Sequence, residues 1–221
     1  MLKPMAEKAQ KKAAERALPR LPVRMEELAR GALLEGRPLE EVSFVDAEVA
    51  GERIAALTLN GAILERVSLT RCEIASLRLR DVRLVGCDLS NAMLRKFEAT
   101  RVEFVGCRMT GLVAPACRWQ SVLLKKCDAR FAQLNDSRLL RSEFSDSHLG
   151  EATLSRADLA ESRFTETILR QTELTGAKLN GIDLRTCDIE GIQVGLGDVW
   201  GLRVTPAQAL ELARLLGVVI G

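Results

Sequence analysis

The chain has 221 residues, of which 47% are hydrophobic and 28% are charged, yet its formal net charge is only +2. This composition excludes a broadly disordered protein, and the balanced charge gives no strong electrostatic attraction to nucleic acid or to an acidic surface. Aromatic residues make up only 4% and tyrosine is absent, so a buried core has to be aliphatic.

Residues 1–22 form a basic segment that is predicted to be a flexible or helical tail. The segment lacks the apolar stretch of a secretory signal, and no run in the chain approaches the roughly 18 apolar residues of a membrane span. We therefore expect a cytoplasmic protein without a membrane partner. An arm for nucleic acid or a membrane is the alternative, but the basic cluster is short and contains Glu7 and Glu15.

Residues 23–40 are predicted to form a short helical cap for the domain that follows. Met25, Leu28, Ala32 and Leu33 recur at helical spacing.

Residues 41–205 repeat with a period of five, in units such as EVSFV, GAILE, RVSLT and RADLA. The fourth position of the unit is apolar almost throughout, and the phase holds for 33 units from Phe44 to Val204. The second position is small or modestly apolar. Five residues match neither the 3.6 of a helix nor the 2.0 of a strand, so the chain has to turn once per unit. One large and one small side chain then point inward.

All six cysteines occupy the small second position of the unit. The ten-residue spacing of Cys107, Cys117 and Cys127 raises metal ligands and disulfide halves as alternatives. An inward position that requires a small apolar side chain suits a reduced thiol, so we predict free, buried, slow-reacting cysteines and no bound cofactor.

The units RADLA, GCDLS, GAKLN, GIDLR and TCDIE resemble the consensus A(D/N)LXX of the pentapeptide-repeat family, and the repeat covers about 165 of the 221 residues. The resemblance implies an all-β solenoid, a right-handed quadrilateral β-helix with four units per coil. The 33 units then make about eight coils, a rod roughly 40 Å long. Short helical caps are expected at both ends.

Four units per coil would stack residues that are twenty apart. Cys87, Cys107 and Cys127 would form a ladder on one face, with Cys187 further along it. Their parallel Cβ directions disfavour bridging, although a spacing of about 4.8 Å lies within disulfide range. The large core positions expected beside this ladder include Leu154, Leu159, Phe164 and Leu174.

The pattern weakens between about 96 and 131. In KFEAT the large and small residues exchange places as Phe97 and Ala99, and Trp119 fills a large position. Local repacking is one interpretation of this irregular stretch, and a protruding partner-binding feature is the other.

Residues 206–221 are predicted to form a capping helix and a short strand. Thr205 and Gln208 have the spacing of a capping box, and Gly217 is placed to end the helix. The apolar surface is wider than one coil requires, and the ending is similar to that of the family's quinolone-resistance branch. We therefore predict a homodimer, with a monomer as the alternative. Its predicted contacts are Leu210, Leu212, Leu215, Leu216, Val218, Val219 and Ile220.

The sequence shows no catalytic constellation. His148 is the only histidine, and it occupies an outward position of its unit. The glycine-rich stretch 191–201 keeps the repeat phase and lacks the context of a phosphate loop. We therefore predict a protein that is not an enzyme and has no small-molecule substrate.

The resemblance implies an interaction rod, with a type II topoisomerase, DNA gyrase or topoisomerase IV, as the candidate partner. The usual account for such proteins is imitation of duplex DNA, for which 40 Å would require on the order of 24 negative charges. Residues 41–205 carry 23 acidic and 22 basic residues, a net charge of −1, which argues against imitation over the whole length.

The charge is nevertheless uneven along the repeat. Residues 66–130 have 13 basic and 6 acidic residues, net +7, whereas residues 143–190 have 5 basic and 10 acidic residues, net −5. A scaffold for an unrelated partner and a nucleic-acid binder that uses the basic 66–130 half are the alternatives. The predicted partner-binding residues of the acidic half are Glu151, Asp158, Glu161, Glu166 and Glu173.

Overall fold

The structure is a computed structural model that describes residues 15–215 and 217–219. It is a β-solenoid of about seven turns in which every strand pairing is parallel, as predicted. Its elements in chain order are β1 (Glu26–Glu27), a 3-10 helix (Arg30–Leu34), β2 (Leu39–Glu40), β3 (Val42–Val45), β4 (Arg53–Ile54), β5 (Leu57–Glu65), β6 (Glu73–Ile74), β7 (Leu77–Val85), β8 (Met93–Leu94), β9 (Phe97–Val105), β10 (Arg118–Lys125), β11 (Arg138–Leu140), β12 (Glu143–Ser145), β13 (Arg163–Thr165) and α1 (Pro206–Leu215).

Each coil takes twenty residues, because Leu59 pairs with Leu79 and Leu79 pairs with Ala99. An unbroken row of bridges runs from Glu48 to Asp188 in twenty-residue steps. This row corresponds to about seven turns, whereas the unit count predicts about eight coils. The difference arises because the terminal units lie outside the complete ladders.

The solenoid has four faces, each defined by the outward third position of its units. On face 1 these are residue 43 and every twentieth residue after it, up to 163. In the same steps of twenty, face 2 runs from 48 to 188, face 3 from 53 to 193 and face 4 from 58 to 178.

The large and small positions of the unit form one continuous core. Leu154 and Leu159 have no exposed surface, and Phe144 stacks on Phe164 with ring centroids 4.6 Å apart. Leu174 is buried one coil beyond Leu154, in the same column of large side chains.

The cysteines are all buried and unbridged. In the ladder, the S–H of Cys107 donates to the carbonyl of Leu84 at 3.5 Å, and Cys127 donates to Phe104 at 3.4 Å. The next rung of the column, Ser147, makes the same bond to Leu124 at 3.3 Å. The small position therefore accepts a short side chain with one hydrogen-bond donor, whether it is a thiol or a hydroxyl.

Four of the six thiols have a raised pKa, whereas the hydrogen bond with Cys107 lowers the pKa of Cys87 and Cys127. The adjacent Cys127 and Cys87 thiols, together with burial, raise the pKa of Cys107. Burial raises the pKa of Cys117 to about 12 and also raises the pKa of Cys187. A raised pKa leaves little of the reactive thiolate at neutral pH. Among the described residues, no group of three or more potential ligands is arranged to hold a metal ion.

The irregular stretch around 96–131 stays within the rod. Strands β9 and β10 pair in the common register, with Trp119 directly beside Ala99. Phe97 meets Trp119 edge to face, with ring centroids 5.5 Å apart. The large indole thus occupies the space that alanine leaves free, so the stretch is a local repacking of the core.

The corners of the solenoid depend on left-handed backbone at the first position of the unit. Among the described residues, nineteen other than glycine have positive φ, and all of them occupy that position. Examples are Ala116, with φ 55°, and Phe131, with φ 60°. Ala56 also occupies a first position but is not among the positive-φ residues, so two kinds of corner occur.

The segment before the first coil departs from the predicted helical cap over residues 23–40. Its helix is a five-residue 3-10 turn, Arg30–Leu34, and β1 pairs with β3. Backbone pairing with the open edge of the first coil satisfies hydrogen bonds there that a helix laid over it would leave unpaired. Leu33 is completely buried beneath the first coil.

Residues 15–25, which we call the strap, run along face 1, whereas residues 1–22 are predicted to form a flexible or helical tail. The Arg20 amide donates to Asp81 at 2.9 Å, and Pro22 contacts Gly61. Arg16 is only 9% exposed, and its Nη2 donates to Glu103 Oε1 at 2.9 Å. Residues 1–14 of the predicted tail lie outside the described residues.

Arg16 fastens the far end of the strap. Its Nε lies 3.8 Å from Glu143, so the guanidinium spans from Glu103 to Glu143 across Leu123, which is 9% exposed. Burial would raise the pKa of Glu103, but hydrogen bonds from Arg16 and Arg83 outweigh it and hold that pKa below its ordinary value. The strap is therefore tied to an ionised, largely buried carboxylate.

Replacing Ala116 with glycine should stabilise the protein by about 1 kcal/mol, because a left-handed corner strains any side chain. Ala56→Gly is the matched control at the other kind of corner, and it should cost about 0.5–1 kcal/mol. Urea unfolding of both variants measures the difference. If both substitutions stabilise the protein, or both destabilise it, the assignment of two kinds of corner is contradicted.

Arg16→Ala should destabilise the protein by about 1–3 kcal/mol and expose the strap to trypsin, since Glu103 loses one of two partners. The ionised Glu103 should contribute fully to the free energy of unfolding above a pH of about 4.3, the pKa of a glutamate in the unfolded chain. This contribution should be lost as the pH falls below that value. Urea unfolding at several pH values checks both points. Arg37→Ala, which removes an exposed pair with Glu35, is the control and should have little effect; equal losses in the two variants would contradict the strap's role.

Candidate interaction surfaces

The C-terminal helix α1 is fixed to the last coil by its first turn. The Thr205 amide donates to Gln208 Oε1 at 2.8 Å and the Gln208 amide donates to Thr205 Oγ1 at 3.2 Å, which confirms the predicted capping box. Gln208 Nε2 also donates to the carbonyls of Leu184 and Cys187. Gly217, with φ 83°, follows the helix as predicted, and its amide donates to Arg214.

Most of the apolar surface of α1 is exposed. Leu212 is the one buried residue of the helix, whereas Leu210 is 48% and Leu215 51% exposed. Val218 and Val219 are exposed and form no strand, and Leu216 and Ile220 lie outside the described residues.

Sequence reasoning missed two further members of this surface. Leu196 and Trp200 lie in the last turn before α1 and are 77% and 78% exposed. The signal for them was present, since both occupy corner or outward positions of their unit, where the rest of the repeat is mostly polar. We call Leu196, Trp200 and the exposed apolar residues of 210–219 the terminal patch. A patch of this kind is typical of a protein–protein contact.

The predicted acidic residues do not share one face. Asp158 lies on face 4 and Glu173 on face 3, whereas Glu151, Glu161 and Glu166 occupy three different corners. They therefore encircle the coils next to the terminal patch. Asp158 forms a 2.8 Å ion pair with Lys178, which lowers the pKa of the aspartate.

In the basic half, each acidic residue of 66–130 lies in an ion pair. Most of these pairs join neighbouring coils, such as Arg101 with Asp81 at 2.5 Å and Arg108 with Asp88 at 2.8 Å. The remaining positive charge is divided among several corners and faces; Arg80, for instance, lies on face 4 and Lys126 beside face 2. This arrangement gives no single basic track for a nucleic-acid backbone.

His148, which occupies an outward position of its unit, is half-buried on face 2, where its Nδ1 accepts a 3.2 Å hydrogen bond from the Gly150 amide. Among the described residues, no helix has the length and apolar character needed to cross a lipid bilayer.

Comparison with known proteins agrees with the repeat. A family model described as a pentapeptide repeat region matches residues 77–154 and 117–194, together more than half of the chain. No curated protein matches the chain by sequence.

Solved structures similar to this chain include full-length QnrB1, a plasmid-mediated fluoroquinolone resistance protein, at 18% identity and a TM-score of 0.35, covering 86% of this chain and 94% of QnrB1. Rfr23 from the cyanobacterium Cyanothece 51142 has 16% identity and a TM-score of 0.33, covering 56% of this chain and 91% of Rfr23. HetL from Nostoc sp. strain PCC 7120, involved in heterocyst differentiation regulation, has 17% identity and a TM-score of 0.24, covering 73% of this chain and 87% of HetL.

If the terminal patch joins two chains, the wild-type protein should have twice the chain mass of 24.3 kDa in light scattering after size exclusion. Leu215→Glu places a charge in the apolar contact and should give monomers. Val23→Glu, at a fully exposed residue of the strap, is the matched control and should leave the dimer intact. A monomeric wild-type protein would contradict the interface.

Proposed function

Because the chain belongs to the pentapeptide-repeat family, we propose that it is a non-enzymatic interaction rod of the cytoplasm. It forms a homodimer through its terminal patch and binds a type II topoisomerase, DNA gyrase or topoisomerase IV, through its acidic half.

The exposed terminal patch is the observation that supports this proposal most. Six large apolar side chains that are 48–94% exposed at one end of a closed solenoid favour a second copy of the same end, since a symmetric contact covers both patches at once. The rest of the core is already enclosed by the coils.

Dimerisation at this end would bring the acidic halves together at the centre of the dimer. Each chain contributes residues 143–190, with a net charge of −5. Because the acidic residues encircle these coils, the centre presents carboxylates on whichever side meets a basic partner. Local docking of this kind requires no imitation of DNA along the whole rod, which the net charge of −1 over residues 41–205 does not support.

The proposal is tested by DNA gyrase supercoiling in the presence of a fluoroquinolone. The protein should restore supercoiling in the presence of the drug, and a Glu161→Lys/Glu166→Lys variant should lose most of this protection because two exposed central carboxylates are reversed. Glu26→Lys, an exposed residue at the opposite end, is the control.

Absence of protection, together with absence of co-elution with gyrase and with topoisomerase IV, would overturn the topoisomerase assignment and favour an unrelated partner. A shift of DNA mobility by the protein alone that disappears with added salt would instead support the nucleic-acid alternative.

A further inference from the structure

Phe131 differs from every other phenylalanine of the chain. Five of the six phenylalanines are buried in the core, whereas Phe131 is 46% exposed at a left-handed corner between faces 2 and 3. None of the ring contacts among the described residues involves it. The core therefore does not account for an aromatic side chain at this corner.

A groove of about 410 Å³ opens beside the Phe131 ring. It follows the corner across successive coils, and its lining includes His148, Gly150, Glu151 and Gly191. A Cβ at Gly150 would lie 2.7 Å from His148 Cε1, so the glycine leaves room for the imidazole at this wall. The volume lies within the range of about 300–1,000 Å³ that is usual for ligand clefts.

The groove is lined by two arginines and two glutamates. Its two arginines are neutralised from the neighbouring coils and turns: Arg130 pairs with Asp128 at 2.7 Å, and Arg170 pairs with Asp188 at 2.6 Å and with Glu190 at 3.0 Å. The Arg130 guanidinium also holds the pKa of Asp128 below its ordinary value, so this carboxylate stays ionised.

Glu151 interacts with Arg130 only through a longer-range electrostatic attraction. It forms no ion pair with any described residue, and it occupies the corner position one coil beyond Phe131, about 4.8 Å along the rod. Asp128 and Asp188 lie outside the lining but neutralise its two arginines, so Glu151 and Glu190 give this surface a local net charge of −2 beside the exposed ring.

We propose that this groove docks an arginine side chain of a protein partner, with the guanidinium on the face of Phe131 and paired with Glu151. A planar guanidinium stacks on an aromatic face and pairs with a carboxylate in two parallel hydrogen bonds, which a lysine ammonium does not do. The inference rests on the proposed role as an interaction rod and gives it a contact of defined chemistry.

The test is a titration of the full-length protein with the blocked peptide acetyl-Gly-Arg-Gly-amide, followed by NMR. His148 is the only histidine, so its ring signals report on the groove alone. We expect saturable shifts of these signals in the millimolar range. Phe131→Ala and Glu151→Gln should each weaken binding about tenfold. Met93→Ala, which removes another exposed apolar side chain from face 3, should leave binding unchanged.

A peptide with citrulline in place of arginine keeps the shape of the side chain but removes its charge, and it should not bind. Equal binding of that peptide, stronger binding of the corresponding aspartate peptide, or no saturable shift of His148 would overturn the proposal. Urea unfolding of each variant shows that a loss of binding is not a loss of fold. The titration contains no topoisomerase, so its result does not depend on whether the protein binds a topoisomerase.

Discussion

The structure depends on one constraint, the parallel backbone ladder that joins each residue to the residue twenty positions later. This register brings every large position onto another large position and every small one onto a small one, as Leu59 on Leu79 and Cys107 on Cys127. It also explains why cysteine, serine and threonine replace one another in the small column. Each of them donates a hydrogen bond to the equivalent carbonyl of the preceding coil. The cysteines that first suggest a metal site are thus explained by core geometry.

The outer surface follows from the same ladder. Charges that are twenty residues apart become neighbours, so opposite signs pair across coils, as Arg66 with Asp46 and Arg156 with Asp136. Exposed pairs of this kind contribute little each to stability, but they remove charge from the faces. The groups that the ladder leaves without an ion pair include Glu151 beside Phe131, and the terminal patch adds exposed apolar side chains.

The period of five predicts the solenoid and its core, because the same pattern of inward side chains is visible in nearly every unit of the sequence. The capping box of Thr205 and Gln208 is predictable because it depends on two residues that are close in the sequence. The strap was not predictable, since Arg16 and Glu103 meet across 87 positions and neither has an unusual local context. Spacing within residues 23–40 predicts a short helix, observed at Arg30–Leu34, but it does not reveal the open strand edge that β1 pairs with. The groove at Phe131 also requires three stacked coils, although an aromatic residue at a corner position is a visible signal.

The most direct test of the ladder is amide hydrogen exchange in a variant that contains a second, consecutive copy of residues 141–160. A twenty-residue insertion adds one complete coil and preserves the register on all four faces. The account predicts that the inserted amides are protected as strongly as those of the neighbouring coils and that unfolding stays cooperative. Rapid exchange throughout the inserted segment, as in a looped-out chain, would contradict it.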